Sequence, residues 1–220
     1  DPAQQDINLG KLVQRMADLG ANTVFLQAFA DPKGDGLVHS LYFPNRHLPV
    51  RADLFDRVAW QLRTRAHVKV FAWMPVLSFG LDSKLPRVTR WDPKTGTTSV
   101  DPDQYKRLSP FDPEVRRIIG EIYEDVARLT SVDGIIYHDD AVLSDFEDAG
   151  PQALKVYAAN GLPGSIAALR DDPAAMQRWT RFKSKYLIDF TNELTAKVRA
   201  IRGPQVQTAR NIFAEPMINP

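Results

Sequence analysis

Three polar residues follow directly on an apolar run near the middle of the chain. Residues 134–137 (GIIY) have the composition of a strand buried on both faces of a parallel sheet. His138, Asp139 and Asp140 come next. A strand that ends in an imidazole and two carboxylates carries these groups to the rim of a sheet, where solvent and substrate reach them. The pattern therefore predicts an acid–base site at this rim.

The loop after this strand is also acidic. Six acidic residues lie within residues 133–148, and like charges this close raise one another's pKa unless a cation or a proton offsets them. We predict that Asp139, Asp140 and Asp145 are the catalytic carboxylates. For Glu147 and Asp148 a functional role stands beside two structural alternatives, a solvated loop and the first turn of a helix.

Composition limits the function classes. The chain has 220 residues, of which 44% are hydrophobic and 25% charged, as in an ordinary soluble domain. The formal net charge of +1 leaves no basic field, so a nucleic-acid partner is not expected. No apolar run is long enough to span a bilayer as a helix. The absence of cysteine excludes disulfides and thiol chemistry.

Four units of a helix followed by a strand position the acidic segment. They are predicted at residues 7–19 and 23–29, 54–65 and 68–76, 113–129 and 134–137, and 179–201 and 206–209. Asp112 followed by Pro113 is a helix start, with the aspartate as N-cap. This order predicts an α/β fold with a parallel sheet.

The connections between these elements are unequal in length. Helices pass to strands in a few residues, whereas strands pass to helices through long segments such as 31–52 and 77–111. A (β/α)8 barrel carries its active site on long loops at the carboxyl ends of its parallel strands. A doubly wound sheet is less favoured, because no strand is followed by a Gly-rich phosphate-binding turn. We predict a barrel of the (β/α)8 type. Because such barrels need about 250 residues, we expect the chain to be a fragment that holds only part of one.

Aromatic and acidic residues on these loops suit a carbohydrate. The predicted substrate-binding residues are Trp73, Asp103, Tyr105, Tyr137 and His138. An aromatic face packs against the C–H bonds of a sugar ring, while neighbouring carboxylates accept hydrogen bonds from its hydroxyls. His138 has a structural alternative as a core histidine. The segment 31–36 (DPKGDG) lacks the closing acid of a calcium loop and is interpreted as a turn.

The sequence also resembles a known family. The runs IIYHDDAVLSDFEDAG, TVFLQAFADPKGDGL, YFPNRHLPVRADLFDRVAWQL, VFAWMPVLSF, RLSPFDP and TARNIF resemble the C-terminal domain of the PgaB and BpsB proteins. These proteins are the poly-beta-1,6-N-acetyl-D-glucosamine N-deacetylases of biofilm export. The resemblance covers nearly the whole chain.

The resemblance implies a domain that binds partially deacetylated poly-N-acetylglucosamine and cleaves it as an endo-glycoside hydrolase. It implies Asp145 as the catalytic aspartate and Asp139, Asp103 and Tyr105 as binding residues, with no cofactor. Residues 1–220 are then a single hydrolase domain. In the full-length protein the resemblance implies an N-terminal deacetylase domain, a periplasmic location with outer-membrane attachment, and outer-membrane export machinery as partner.

Several mechanisms stay open from the residues alone. Glycosidases use two carboxyl groups, about 5 Å apart in retaining enzymes and about 6.5 to 9.5 Å apart in inverting ones. Asp145 is our choice for the general acid, with Asp139 orienting the sugar or polarising its acetamido group. The acetamido carbonyl is itself an alternative nucleophile.

Two other classes of function remain as alternatives. The first is a binding module that guides the polymer and cleaves nothing. The second is a metal-dependent hydrolase in which His138, Asp139 and Asp140, together with His39 or His47, hold a metal ion. No helical His-x-x-x-His spacing supports the second, so no metal is expected.

Overall fold

The computed structural model describes residues 1–212 and contains eight strands and six helices there. The strands are β1 (Thr23–Gln27), β2 (Phe29–Ala30), β3 (Ser40–Leu41), β4 (Lys69–Met74), β5 (Arg90–Trp91), β6 (Thr98–Ser99), β7 (Gly134–Tyr137) and β8 (Gln207–Arg210). The helices are α1 (Pro2–Asp18), α2 (Phe55–Arg65), α3 (Pro113–Leu129), α4 (Pro151–Ala159), α5 (Ile166–Asp171) and α6 (Pro173–Arg202).

A parallel sheet of four strands organises the fold. Its order is β1-β4-β7-β8, and each of the three pairings is parallel. Strands that follow one another through a helix are therefore neighbours, as in a (β/α) barrel, whereas the strand order of a doubly wound sheet reverses. The predicted α/β class is confirmed.

One face of the sheet is covered by helices and the other carries the site. Tyr137 of β7 stacks on Tyr123 of α3, with ring centroids 5.8 Å apart, on the helical side. Residues alternate between the two faces of a strand, so His138 lies on the opposite face with its register neighbours. Trp73 pairs with Ile136 in register and shares that face. The alternation separates residues that support the sheet from residues that line the site.

The central strand also requires a glycine. A Cβ atom at Gly134 would lie 2.5 Å from the Phe71 ring and 2.6 Å from the carbonyl oxygen of Gln207. Any side chain here would force apart β4, β7 and β8. Packing therefore requires glycine as the first residue of the predicted GIIY strand.

Most element boundaries agree with the sequence prediction. The predicted strand at 134–137 is confirmed, and α3 begins at Pro113 with the carboxylate of Asp112 accepting hydrogen bonds from the next turn. The long helix begins at Pro173 rather than at residue 179, again with an aspartate, Asp172, as its N-cap. The same Asp-Pro signal thus starts both helices.

The long connections contain secondary structure that was not predicted. The first holds the antiparallel pair β2–β3, the second holds the hairpin β5–β6, and the third holds α4 and α5. The segment 31–36 is a turn, as interpreted, in which the Asp31 carboxylate accepts hydrogen bonds from the amides of Asp35 and Gly36. No helix within residues 1–212 is both long and apolar enough to cross a membrane. Phe213, the last residue of the TARNIF run, lies outside the described residues.

Candidate active site

Three aromatic rings meet at the carboxyl end of the sheet. The imidazole of His138 stacks on the indole of Trp73, with ring centroids 5.5 Å apart and an interplanar angle of 26°. Tyr105, from the loop after β4, meets the same imidazole edge-on at 5.4 Å. Strands β4 and β7 are neighbours, so residues 65 positions apart in sequence become one surface. His138, Trp73 and Tyr105 were all predicted to bind substrate, and the structure brings them together.

Asp139 completes this cluster. The Tyr105 hydroxyl donates a hydrogen bond to Asp139 Oδ1 across 3.4 Å. His138 Nδ1 lies 2.9 Å from the same oxygen, but its orientation is not that of a hydrogen bond, so the two form a close electrostatic contact only. The Asp139 side chain is 16% exposed. A partly exposed carboxylate between a phenol and an imidazole is suited to bind or orient a polar substrate.

The charge of this cluster keeps Tyr105 protonated. Burial raises the pKa of Tyr105, and the carboxylates of Asp139 and Asp140 raise it further. An ionised phenol beside two carboxylates would be repelled by both. Tyr105 therefore serves as a hydrogen-bond donor over the physiological pH range.

Two ring nitrogens in the cluster lack hydrogen-bond partners. Trp73 Nε1 and His138 Nδ1 are both inaccessible and make no hydrogen bond within residues 1–212. Buried polar atoms are nearly always paired with protein or with water. Because neither nitrogen is accessible, neither can contact a ligand directly in this conformation.

A cleft lies along the loop that carries Tyr105 and shares only this residue with the cluster. Its volume is about 400 Å³, and it is lined by Asp35, Gly36, Pro102, Asp103, Gln104 and Tyr105. Gly36 adopts a positive φ of 70°, and the Tyr105 ring packs 3.0 Å from where its Cβ would be. Asp103 is exposed at this cleft. The structure therefore places Asp103 and Tyr105 along one cleft, as the sequence predicted for a substrate-binding wall.

Asp145 lies on a tight turn after β7. The amide of Glu147 donates to the carbonyl of Ser144 at 3.1 Å, so the turn places Asp145 at its tip. Its side chain is exposed. No residue within 1–212 donates a hydrogen bond to its carboxylate, although Arg170 of α5 donates to its carbonyl oxygen at 3.0 Å. The carboxyl group is thus free to contact a ligand.

The next residue of the turn is held between two cations. The Phe146 ring has the guanidinium of Arg170 3.9 Å from its centroid and that of Arg90, on the β5–β6 hairpin, at 5.1 Å. Cation–π contacts of this kind contribute about 0.5 to 2 kcal/mol each. The turn is therefore anchored to α5 on one side and to the hairpin on the other.

Glu147 is buried and paired. Its Oε1 accepts a hydrogen bond from Arg107 at 2.7 Å, and its Oε2 accepts one from the amide of Ser144 at 2.9 Å. Both members of the ion pair are at most 2% exposed. Removing one partner of a buried pair leaves an uncompensated charge, so this pair fixes the Asp145 turn to the loop before α3.

Asp148 is fully buried as well. It accepts hydrogen bonds from the hydroxyl of Ser109 at 2.6 Å and from the amides of Thr89 and Gly150 at 3.1 and 2.8 Å. Burial raises the pKa of Asp148, and these hydrogen bonds oppose the rise only in part. Neither structural alternative for Glu147 and Asp148 is correct, because α4 begins at Pro151 and both acids lie inside the protein rather than in a solvated loop.

Comparisons with known proteins show the family to which the chain belongs. The sequence model of the family described as hypothetical glycosyl hydrolase family 13 (GHL13) matches residues 1–220. The chain belongs to this family. It is thus a glycoside hydrolase domain, and the predicted family resemblance is confirmed.

Relatives of this glycoside hydrolase domain are found among characterised proteins and solved structures. The poly-beta-1,6-N-acetyl-D-glucosamine N-deacetylases of Escherichia coli strains K12 and O157:H7 are both 54% identical over 217 residues, which is 99% of this chain and 32% of each relative. The chain therefore spans about a third of the length of these relatives. The PgaB (BpsB) glycoside hydrolase domain from Bordetella bronchiseptica matches all of this chain and 63% of its own, with 50% identity and a TM-score of 0.91.

A more distant structure shares the fold alone. Alpha-L-fucosidase isoenzyme 2 from Paenibacillus thiaminolyticus has a TM-score of 0.58 at 20% identity, over 91% of this chain and 29% of its own. Together with the Bordetella structure, this similarity confirms the barrel-type α/β fold that the unequal connections predicted.

The prediction that Asp140 is catalytic is wrong in this geometry. Asp140 has no exposed surface. Its carboxylate accepts hydrogen bonds of 2.7 to 3.1 Å from three successive amides, those of Val76, Leu77 and Ser78, directly after β4. A carboxylate that caps the end of a neighbouring strand holds two loops together and cannot reach a substrate.

The prediction that Tyr137 binds substrate is wrong for a related reason. Its side chain points to the helical face, where the hydroxyl lies 2.6 Å from Thr195 Oγ1 and also donates to the carbonyl of Thr191. Burial raises the pKa of Tyr137 to about 12. In a strand buried on both faces, apolarity alone cannot tell which face a residue takes.

The metal hypothesis needs a second histidine that the structure places elsewhere. His138 Nδ1 lies 2.9 Å from Asp139 and 3.8 Å from Asp140. Within residues 1–212, the histidine and carboxylate groups close enough to share an ion are Asp31, Asp35 and His39, on the first long loop. His47 instead lies 2.6 Å from Glu121 of α3, on the helical side. The set of His138, Asp139 and Asp140 with His39 or His47 is therefore not assembled.

Sequence reasoning missed two buried cations, Arg107 and Lys183. Both contact the segment around Asp145, and they are 2% and 3% exposed. A signal for Lys183 was present, because it falls between Trp179 and Leu187 at four-residue spacing, in the apolar stripe of α6. A charged residue at a core position needs a partner, and its partners here are the carbonyls of the acidic segment.

Proposed function

We propose that this domain hydrolyses glycosidic bonds within partially deacetylated poly-beta-1,6-N-acetyl-D-glucosamine, acting at internal positions of the chain. The observation that carries the proposal is the cluster of Tyr105, Asp139, His138 and Trp73 at the carboxyl end of the sheet of a glycoside hydrolase family member. Sites of barrel enzymes lie at this end. An aromatic surface beside carboxylates matches the alternating C–H and hydroxyl surface of a sugar.

Asp145 is the proposed general acid. Its carboxyl is exposed and free of hydrogen bonds from residues 1–212, while the turn that carries it is anchored on both sides. A general acid must reach the leaving oxygen from a fixed position. An exposed carboxyl on a rigid turn meets both conditions, whereas the buried Glu147 and Asp148 meet only the second.

Asp139 is the proposed orienting carboxylate. Tyr105 donates a hydrogen bond to Asp139, and His138 lies beside it. There Asp139 would accept hydrogen bonds from a sugar hydroxyl or from the N–H of an acetamido group. In the second case it would align the acetamido carbonyl as an internal nucleophile. In an acid–nucleophile mechanism it would instead be the second carboxylate.

The charge of the cleft supports the polymer as substrate. The cleft that leads from Tyr105 carries Asp35 and Asp103, and Asp101 lies beside it in sequence. Deacetylated glucosamine units carry ammonium groups, which carboxylates attract. A partly deacetylated chain should therefore bind better than a fully acetylated one. The deacetylase name of the Escherichia coli relatives points to the same polymer.

The context of the domain is part of the proposal. Residues 1–220 are a single hydrolase domain, and the longer relatives support a parent protein that also carries a deacetylase domain. Such a protein would act in the periplasm, attached to the outer membrane, and pass its polymer to the export machinery there.

Product sizes from two polymers test the substrate assignment. The domain is incubated with partially deacetylated and with fully acetylated polymer, and products are followed by mass spectrometry. We expect a spread of short oligosaccharides from the first and few from the second. Equal cleavage of both would contradict the role given to the acidic cleft. Retention of the polymer without any product would favour a binding module over a hydrolase.

A further inference from the structure

A buried lysine lies directly beneath the Asp145 turn. Lys183 of α6 is 3% exposed. Its ammonium donates hydrogen bonds to the carbonyl of Ser144 at 2.5 Å and to the carbonyl of Glu147 at 2.8 Å. These carbonyls lie on either side of Asp145. The lysine is therefore hydrogen-bonded to both ends of the turn, and the tip of this turn carries the proposed general acid.

The same ammonium is held in place from its own helix. Lys183 Nζ lies 3.5 Å from the centroid of the Trp179 ring, one helical turn away. Trp179 is fully buried, so this ring cannot move aside. The contact fixes the ammonium against a rigid surface, and α6 in turn packs on α3 and β7. The position of the turn is thus tied to the core of the domain.

Charged groups face Lys183 from two elements. The carboxylates of Asp145, Glu147 and Asp148 come from the turn, and the guanidinium of Arg170 comes from α5. Burial lowers the pKa of Lys183 to about 8, although the three carboxylates act to raise it. A neutral amine would keep donors for the two carbonyls, but charge-assisted hydrogen bonds are roughly twice as strong as neutral ones. The hydrogen bonds from Lys183 to the turn should therefore weaken as the amine loses its proton.

We propose that Lys183 is a positioning residue for glycoside hydrolysis: as an ammonium it fixes the Ser144–Glu147 turn so that Asp145 meets the leaving oxygen of the substrate. The inference rests on the proposed function of Asp145. Lys183 itself touches no substrate. Because misplacing a catalytic group by about 1 Å costs up to about 100-fold in rate, loss of the ammonium should lower turnover far more than substrate binding.

Two lysines on the same helix provide a matched comparison. Lys183→Met removes the ammonium and keeps an apolar, unbranched chain as long as the alkyl part of lysine. Lys185→Met removes an exposed ammonium, which among residues 1–212 pairs only with Asp189 one turn along α6. On an oligosaccharide of defined length, we expect kcat of Lys183→Met to fall about 100-fold with KM within about threefold. Lys185→Met should have the kcat and the KM of the wild-type domain. A kcat within twofold of wild type in folded Lys183→Met would overturn the proposal.

The pH dependence of kcat distinguishes positioning from mere stability. The loss of the Asp145 proton lowers kcat of any active variant as pH rises, because a general acid must be protonated. In the wild-type domain kcat should fall further with a second midpoint near 8, where Lys183 loses its proton. In Lys183→Met this second alkaline limb should be absent. A second alkaline limb that is unchanged in the variant would contradict the proposal, whatever the size of the rate loss.

The absence of cysteine allows a chemical rescue. The chain has no native thiol, so Lys183→Cys can be alkylated with bromoethylamine in denaturant and refolded, which restores an amine of lysine length. The added thioether lowers the intrinsic pKa of that amine. We expect kcat to recover and its second alkaline limb to move to lower pH. Recovery without movement of the limb would mean that the charge is irrelevant, which overturns the proposal.

Two further outcomes are also decisive. If Lys183→Met does not fold, the titration of Lys183 in the wild-type domain is followed by NMR of ¹⁵N-labelled lysine, and its midpoint must coincide with the second midpoint of kcat; a mismatch overturns the proposal. If the wild-type domain releases no product, the proposed function fails. The inference about Lys183 rests on that function and fails with it.

Discussion

The phenol oxygen of Tyr105 lies 3.4 Å from Oδ1 of Asp139, although 34 positions separate the two residues in sequence. The loop after β4 thus closes onto the end of β7. This contact joins an aromatic residue to a carboxylate at the edge where a barrel enzyme binds its substrate. Because burial and the nearby carboxylates raise the pKa of Tyr105, its hydroxyl remains a donor.

Removing this hydroxyl should weaken catalysis without harming the fold. A hydrogen bond to a charged group contributes about 1.5 to 3 kcal/mol, so Tyr105→Phe should lower kcat/KM about 10- to 100-fold. Steady-state kinetics on a defined oligosaccharide measure this. In the Asp139→Asn background the same substitution should cost much less, because its partner charge is already gone. Equal losses in both backgrounds would mean that the two residues act independently.

Asp139 and Asp140 are adjacent but should respond in opposite ways. Asp140 accepts hydrogen bonds from three buried amides, so Asp140→Ala should lower the free energy of unfolding by about 3 kcal/mol or more. Asp139→Ala should change it by less than about 1 kcal/mol and abolish most activity. Urea denaturation followed by circular dichroism gives both values. A stable Asp140→Ala protein would contradict the structural role.

Substitution of Tyr137 tests whether its side chain lies on the helical face of the sheet, away from the site. Its hydroxyl bonds to Thr191 and Thr195 of α6, away from the site. Tyr137→Phe should therefore cost about 1 kcal/mol of stability and leave kcat/KM unchanged. A loss of activity with no loss of stability would return Tyr137 to the substrate-binding set.

Stability should rise with pH before it falls. The pKa of Lys183 is about 8 in the folded domain, against an ordinary value of 10.5. Between these values the unfolded chain binds the extra proton, so this group makes the folded state more stable as pH rises, by on the order of 3 kcal/mol in total. Thermal unfolding from pH 7 to 10 should show a rise in wild type that Lys183→Met lacks. The same trend in both proteins would contradict the assigned pKa.

Above pH 10 the buried tyrosines should reverse the trend. Burial raises the pKa of Tyr137 to about 12, and it raises those of Tyr123 and Tyr157 as well. Their phenols ionise in the unfolded chain first, from about pH 10, so the folded state loses stability as pH rises through this range. A loss of activity near pH 8 therefore cannot result from these tyrosines.

The sequence predicted the positions of helices and strands better than it predicted which face of the sheet a strand residue occupies. An apolar run bounded by charges located β7 to the residue, and the pair Asp112-Pro113 located the start of α3. The same signal at Asp172-Pro173 was not used, so the start of α6 was placed six residues too late. Periodicity cannot orient a strand that is apolar on both faces, which is why Tyr137 was misassigned. The two-residue strands of the long loops have too few positions for any period to show.

The site was predictable where chemistry follows a strand and unpredictable where it depends on contacts across the fold. His138 and Asp139 were predicted because they directly follow β7, and the structure places them beside Trp73 and Tyr105. The adjacent Asp140 has the same local signal, but the amides it caps belong to the loop after β4. Arg107 comes from the loop before α3 and Lys183 from α6, and only the tertiary structure brings them beneath Asp145.

The central claim, that Asp145 cleaves the polymer, is tested most directly by mass spectrometry of products from partially deacetylated poly-glucosamine. Asp145→Asn removes the titratable group and nearly preserves its shape. Asp171→Asn, at an exposed aspartate of neighbouring α5, is the matched control. We predict short oligosaccharides from wild type and Asp171→Asn and none from Asp145→Asn. Products from folded Asp145→Asn at the wild-type rate would contradict the claim.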